Sequence, residues 1–212
     1  MIDFGNYSEG SNPVPAGIHT VELTHAESGT SSKQGTPFVA FHFKVIEDNQ
    51  YGAGVGQVID HTCYWTDKTL QVSGGINPAH AALHILNKFM DEQEARTLIT
   101  SNGENEMMLA NAITKVLAER KEKDEKANVG KVKVIQQRWS NNASRVNTLV
   151  SSRMPFFQKI NEVNKSAMLS FDPITDVEKP LEAGAAVPNT LPPTGNTFQA
   201  PGSAVGFGGF AS

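Results

Sequence analysis

The sequence is poor in cysteine, in long apolar runs and in net charge. Its single cysteine, Cys63, excludes an internal disulfide and a zinc site built on paired cysteines, and it is typical of a reducing compartment. No stretch approaches the ~18 consecutive apolar residues of a membrane helix, and no basic region followed by an apolar run opens the sequence. We therefore expect a cytoplasmic protein with no membrane partner. The net charge of −4 by itself argues against a nucleic-acid partner.

That net charge conceals a strong segregation along the chain. Residues 129–165 hold seven basic side chains and one acidic side chain, whereas each flanking part of the chain is acidic. Trp139, Phe156 and Phe157 lie among these cations. Cations interleaved with aromatic rings are typical of surfaces that bind single-stranded nucleic acid, because cations neutralise phosphates and rings stack on bases. The charge count leaves open a solvated basic surface that acidic neighbours balance elsewhere in the fold.

Alternating apolar residues predict three strands in the first third of the chain, at 17–26, 38–47 and 57–66. The second strand has two unlike faces. The apolar face consists of Val39, Phe41, Phe43 and Val45. The other face carries groups that could meet a ligand, and it consists of Phe38, Ala40, His42 and Lys44. The glycine-rich residues 51–56 are typical of a hairpin loop. The three strands are therefore expected to form an antiparallel meander.

The apolar period then changes from two to that of a helix. Asn77 before Pro78 predicts a helix start, and further apolar spacing predicts helices up to about residue 90 and from about 104 to 126. Strand patterns return at 129–137 and 145–150, on either side of a turn rich in Asn and Ser. The final segment is rich in Gly and Pro and has no charged residue after 182, which predicts a flexible tail.

Three strands, a helical insertion and a closing hairpin predict a mainly β protein with a helical insertion, of the α+β class. We expect an OB-fold-like five-stranded antiparallel barrel at 1–165, with the insertion at about 77–126 and the flexible tail at 166–212. In OB-folds, the second and third strands and the loops joining strands one to two and four to five commonly bind oligonucleotides. The candidate nucleic-acid-binding residues in or near these places are Lys33, Phe38, His42, Lys44, Tyr64, Lys131, Lys133, Arg138, Trp139, Arg145 and Arg153.

A series of short motifs adds a family resemblance. The motifs are Asp3-Phe4, Pro15-Ala16-Gly17-Ile18-His19-Thr20-Val21, residues 30–35 (TSSKQG), Phe41-His42-Phe43-Lys44-Val45, Gly130-Lys131-Val132-Lys133-Val134 and Asn147. Their order resembles that in phage-encoded OB-fold single-stranded-DNA-binding proteins over about residues 1–153. Many members of that family end in an acidic tip closed by an aromatic residue. Here residues 206–212 keep the aromatics without the acids.

Patterns that would indicate an enzyme are incomplete. His80 and His84 stand four residues apart and could hold zinc on a helix, but Ala81 occupies the position of a general-base glutamate and no third ligand follows. His61 and Cys63 share a strand face and could form a thiolate–imidazole pair, although neighbours at this spacing more often simply pack together. We therefore expect no catalytic activity, no cofactor and no bound metal.

The leading hypothesis is a single-stranded-DNA-binding protein of phage-type DNA replication or recombination, acting in the host cytoplasm with replication or recombination proteins as further partners. One alternative is a protein-interaction or virion-assembly component that uses the barrel and the Gly/Phe tail. A metal-dependent nuclease or hydrolase is a second alternative. The sequence leaves the oligomeric state open, and Met154-Pro155-Phe156-Phe157 offers an apolar contact for a homo-oligomer.

Overall fold

A computed structural model describes residues 14–32, 35–47, 54–65, 78–139, 142–150 and 156–179. Within these ranges the chain forms an antiparallel sheet of six strands with three α-helices. The elements in chain order are β1 (Gly17–Thr30), β2 (Pro37–Val45), β3 (Val58–Tyr64), α1 (Pro78–Leu86), α2 (Glu92–Asn102), α3 (Glu106–Lys123), β4 (Val129–Trp139), β5 (Asn142–Leu149) and β6 (Phe157–Lys159), followed by a short 3₁₀ turn, Lys165–Ala167.

The longest strand, β1, lies at the centre of the sheet. It pairs with β2 from Val21 to Thr30 and with β4 from Gly17 to Glu22, and the strand order is β3-β2-β1-β4-β5, with β6 also paired to β4. The prediction of a mainly β, α+β protein is confirmed. The predicted OB-fold-like five-stranded barrel is wrong, because a sixth strand joins β4 and the described part of β3 pairs only with β2, which leaves the sheet open between β3 and β5.

The core lies between one face of the sheet and the helices. The predicted apolar face of β2 is confirmed, since Val39, Phe41, Phe43 and Val45 are all fully buried. Ring contacts continue this core away from the sheet: the Phe43 centroid lies 5.3 Å from that of Phe89 and 5.5 Å from that of Phe157. Leu109, Ile113 and Leu117 of α3 complete the same cluster at helical spacing.

Helix α3 takes the place of a paired strand along the second half of β1. Beyond Glu22, β1 no longer pairs with β4. The Thr114 hydroxyl satisfies the backbone there, because it accepts a hydrogen bond from the Ala26 N–H (3.0 Å) and donates one to the Ala26 carbonyl (2.9 Å). The helical insertion therefore fixes the conformation of β1 at the point where that strand approaches His42.

The insertion contains a third helix, α2, between the two helices that the sequence pattern predicts. Helix α2 begins after Asp91, whose side chain accepts hydrogen bonds from the backbone N–H groups of Gln93 and Glu94. Glu92 and Glu94 lie in the first turn of α2, where negative charge is favourable. In the part of the chain that the structure describes, no helix is both long enough and apolar enough to cross a membrane.

Candidate nucleic-acid interface

The face of the sheet opposite the core carries most of its polar groups, and we call it the polar face. Its members are set by the strand register, which places Asp60 opposite His42, Tyr64 opposite Phe38 and Lys131 opposite Thr20. The residues that define it are Thr20, Glu22, His25 and Glu27 of β1, His42 and Lys44 of β2, Asp60, Thr62 and Tyr64 of β3, and Lys131 and Lys133 of β4. Four of the predicted binding residues share this face with Tyr64.

A β-bulge brings His25 onto the polar face. Leu23 pairs with Phe43 and His25 pairs with His42, so Thr24 is an extra residue without a partner across the strand pair. An extra residue reverses the alternation of side chains beyond it. Leu23 is therefore buried on the core side, whereas His25 lies beside His42. The Thr24 hydroxyl stabilises the bulge by donating to the His42 carbonyl at 3.0 Å.

His42 and three residues around it, His25, Glu27 and Asp60, form what we call the histidine cluster. The His25 and His42 rings stack with their centroids 4.3 Å apart. His42 Nδ1 lies 2.7 Å from Asp60 Oδ1, and this hydrogen bond raises the pKa of His42 above its ordinary value. With its side chain 14% exposed and held in this way, His42 presents little free surface to a nucleic acid. Sequence patterns miss the other three members because β pairing, not spacing, brings them together.

Tyr64 lies at one end of the polar face beside the ring of Phe38, and the two rings differ in exposure. Tyr64 is 52% exposed, while Phe38, directly opposite on β2, is only 6% exposed. The two rings meet edge to face with centroids 6.1 Å apart. Phe38 covers Gly29 so closely that a Cβ at Gly29 would lie 2.5 Å from its ring. Of these two predicted stacking residues, Tyr64 is therefore the one whose ring offers open surface to a base.

The cations of the polar face are of two kinds. Lys44 is exposed, and neither it nor Lys131 has a carboxylate within ion-pair distance among the described residues. Lys133, in contrast, has its Nζ 2.8 Å from Asp176 and 5.8 Å from the centre of the Phe156 ring. Lys44 and Lys131 can meet a phosphate directly, whereas Lys133 would first have to leave its carboxylate.

Residues 172–178, which we call the acidic segment, lie along β4. Gln136 forms a parallel bridge with Val177, supported by hydrogen bonds from Gln136 N–H to the Asp176 carbonyl (2.9 Å) and from Glu178 N–H to the Gln136 carbonyl (3.1 Å). The Arg138 guanidinium lies 3.4 Å from the Glu178 carboxylate, which also accepts from the Arg138 backbone N–H. That backbone hydrogen bond is the main reason why the pKa of Glu178 is lowered. The acidic segment belongs to the stretch predicted to be a flexible tail. Its carboxylates nevertheless form ion pairs with two of the predicted DNA-binding cations, Lys133 and Arg138.

The remaining predicted residues fall wholly or partly outside the described structure. Lys33 and Arg153 lie outside the described residues. Trp139 ends β4 and Arg145 lies within β5, so both belong to the β4–β5 hairpin, but their side chains are outside the described part. Their assignment to DNA binding stays a prediction.

The histidine and cysteine of β3 do not have the ionisation of a reactive pair. Burial raises the pKa of the Cys63 thiol to about 12 and lowers the pKa of His61 to about 4. A thiolate–imidazole pair requires the opposite shifts, a lowered thiol pKa beside a charged imidazole. In the described structure both side chains therefore remain neutral near pH 7, and Cys63 belongs to the hydrophobic core. A groove of about 420 Å³ lies elsewhere, along α2, and its lining includes Asp91, Glu94 and Val116.

Comparisons with known proteins give no family for this chain. No family model, no curated protein and no solved structure matches it.

Proposed function

We propose that this protein binds single-stranded DNA without sequence preference, as a non-enzymatic component of phage-type DNA replication or recombination. The observation that carries the proposal is the exposed Tyr64 ring on the same face of the sheet as Lys44 and Lys131, which have no carboxylate partner among the described residues. An unpaired strand needs both features, since its bases stack on open rings and its phosphates attract cations. A duplex hides its base faces and would gain only the charge contacts.

The order of elements supports the same proposal. A three-strand meander, a helical connection and a closing hairpin follow the plan of an OB-fold, opened here between β3 and β5. Tyr64 and Lys44 lie on the third and second strands, which are a common oligonucleotide-binding surface in such folds. The β4–β5 hairpin, with Arg138, Trp139 and Arg145, supplies the other usual location.

The expected energies follow from the two kinds of contact. Stacking of one base on Tyr64 should contribute about 1–3 kcal/mol, which corresponds to roughly 5- to 150-fold in affinity. Each phosphate neutralised on a single strand should add about −0.7 to the slope of log affinity against log salt concentration. Removal of the ring and removal of a cation therefore give different signatures.

The test is fluorescence anisotropy of labelled oligothymidine and of a matched duplex, titrated with the full chain at low and at physiological salt. Tyr64→Ala should weaken single-strand binding roughly 5- to 150-fold, while Tyr64→Phe should retain most of it. Lys44→Ala should reduce the salt slope. Lys115→Ala is the matched control, because Lys115 is an exposed lysine of α3 whose side chain is 78% exposed. Equal affinity for duplex and single strand, or a Tyr64→Ala variant that binds like wild type, would contradict the proposal.

The same titration separates DNA binding from a role in protein interaction or virion assembly. A variant lacking residues 183–212 removes the Gly/Phe tail and keeps the polar face. Single-strand binding that survives this truncation supports the DNA-binding proposal. A wild-type protein that binds no oligonucleotide favours the interaction role.

A further inference from the structure

The histidine cluster contains a buried nitrogen atom with no hydrogen-bond partner among the described residues. His42 Nε2 is inaccessible and makes no hydrogen bond, while Nδ1 on the same ring lies 2.7 Å from Asp60. A carboxylate can only accept a hydrogen bond, so the proton of the neutral ring is on Nδ1. Nε2 then carries a lone pair. A buried acceptor without a donor is unfavourable, and coordination of a cation by this lone pair would remove the cost.

Two further electron-pair donors lie next to this nitrogen. His25 Nε2 lies 3.5 Å from one Glu27 carboxylate oxygen, and His42 Nε2 lies 3.7 Å from the other. One ligand atom from each of the three residues can be chosen so that all lie within 4.8 Å of one another. Ligands of a tetrahedral zinc ion, with bonds of about 2.0–2.1 Å, lie about 3.3 Å apart. The three ligand atoms therefore start within about 1.5 Å of the separations that coordination requires.

We propose that His25, Glu27 and His42 bind a divalent zinc ion, with the two Nε2 atoms and one carboxylate oxygen as ligands. Two imidazoles and a carboxylate form a familiar zinc ligand set that leaves a fourth position for water or another oxygen ligand. Asp60 completes the arrangement as the carboxylate that orients a ligating histidine through its other nitrogen. The site is independent of the proposed DNA binding, although its three ligand residues belong to the polar face.

Zinc binding requires one ring to move. The two imidazole planes are within 7° of parallel, so in the stacked arrangement their lone pairs lie in separate parallel planes. His42 is fixed by Asp60, whereas the His25 side chain is 40% exposed, and its rotation would break the 2.9 Å hydrogen bond between its Nδ1 and the Thr24 hydroxyl. The ion would therefore be bound by rotation of the His25 ring out of the stack toward Glu27 and His42.

The other histidines provide contrasting environments. His19 Nε2 lies 2.7 Å from the Pro15 carbonyl. His61 is hydrogen-bonded to the backbone of Val150 through one nitrogen and has a buried Nε2 without a hydrogen-bond partner, but it lies outside the three-ligand group found among the described residues. His84 also has a buried Nε2 without a partner, but the charge of Lys88 acts on it and would repel a cation. His80 is exposed on α1, outside the three-ligand group, which makes it the matched control.

The experiment is isothermal titration of zinc chloride into the full chain, with any affinity tag removed and the protein first treated with a chelator. We expect one zinc ion per chain. His25→Gln and Glu27→Gln should each weaken binding at least tenfold, and Asp60→Asn should weaken it roughly 10- to 100-fold as a second-sphere change. His80→Gln should bind like wild type. Thermal unfolding without metal checks that each variant is folded, and His25 and Glu27 are suitable because both are partly exposed.

Cobalt(II) supplies a second readout that depends on geometry. Bound in place of zinc, it should give the intense visible absorption of a four-coordinate ion, and His25→Gln should abolish that band. A wild-type protein that binds no zinc overturns the proposal. So does a loss of affinity in His80→Gln equal to that in His25→Gln, or a cobalt spectrum of the six-coordinate hydrated ion.

Discussion

His61 should make the stability of this protein depend on pH in the mildly acidic range. It lies on β3 with its ring centroid 5.7 Å from that of Phe157, and one ring nitrogen is hydrogen-bonded to the backbone of Val150. Burial lowers its pKa from an ordinary 6.5 to about 4, because the charged ring would lose its hydration there. The proposed change is His61→Leu, which removes the titrating group and keeps an apolar side chain.

The sign and size of the effect follow from linkage. Above pH 6.5 the ring is neutral in both the folded and the unfolded chain, so it contributes no pH dependence. As the pH falls from 6.5 toward about 4, the unfolded chain binds a proton that the folded chain does not, and stability falls. Each pH unit between the unfolded and the folded pKa costs about 1.4 kcal/mol, so the total loss is roughly 3 kcal/mol, and it levels off below the folded pKa.

Urea unfolding at a series of pH values between neutral and about 4 measures this loss. The fall in the free energy of unfolding should be smaller in His61→Leu than in wild type by roughly 3 kcal/mol. The absolute stability of the variant also reflects the lost hydrogen bond, so the comparison uses the pH slope and not the level. His80→Gln, which changes an exposed histidine of α1, is measured alongside as the matched control. Parallel curves for wild type and His61→Leu would refute the reasoning.

Three further changes test other parts of the structure. Asp176→Asn combined with Glu178→Gln removes the carboxylates that pair with Lys133 and Arg138. Single-strand affinity should then rise, and the slope of log affinity against log salt concentration should steepen by about 1.4. An unchanged slope would mean that the DNA does not contact these two cations. Gly130→Ala puts a Cβ 2.7 Å from the buried ring of Phe89, so the free energy of unfolding measured by urea titration should fall by about 1–3 kcal/mol. An unchanged free energy would mean that the Phe89 ring can move aside without cost. Cys63, buried with a raised thiol pKa, should react with a thiol reagent only after unfolding, and rapid labelling of the native protein would contradict its burial.

Much of the fold could be predicted from local patterns. Alternation identifies the strands around Val21, Phe41 and Val132, because side chains of a half-buried strand separate onto two faces. Closure of the barrel could not be predicted, since it depends on whether β3 and β5 meet, and neither strand carries that information in its own sequence. The helix α2 escapes prediction for a different reason: its buried positions are few, Ala95 and Leu98, and give a weak helical pattern.

The candidate sites show the same limit more sharply. Lys44 and Tyr64 could be placed on one face because each lies in a strand with a clear period and the register agrees. The approach of His25 to His42 could not be predicted, because it depends on the extra residue Thr24, which reverses the side-chain alternation. Asp60 reaches His42 across a strand pair and not at any sequence spacing typical of metal ligands.

The acidic segment changes what the basic stretch of the sequence means for a ligand. By sequence alone every cation of residues 129–165 could meet a phosphate, but Lys133 and Arg138 already hold the carboxylates of Asp176 and Glu178. A phosphate that replaces a carboxylate on such a cation exchanges one anion for another, so few counterions are released. The salt dependence of binding should therefore report mainly the cations that have no such carboxylate before binding, such as Lys44 among the described residues. Affinity and salt slope together would then show whether the strand displaces the acidic segment or binds beside it.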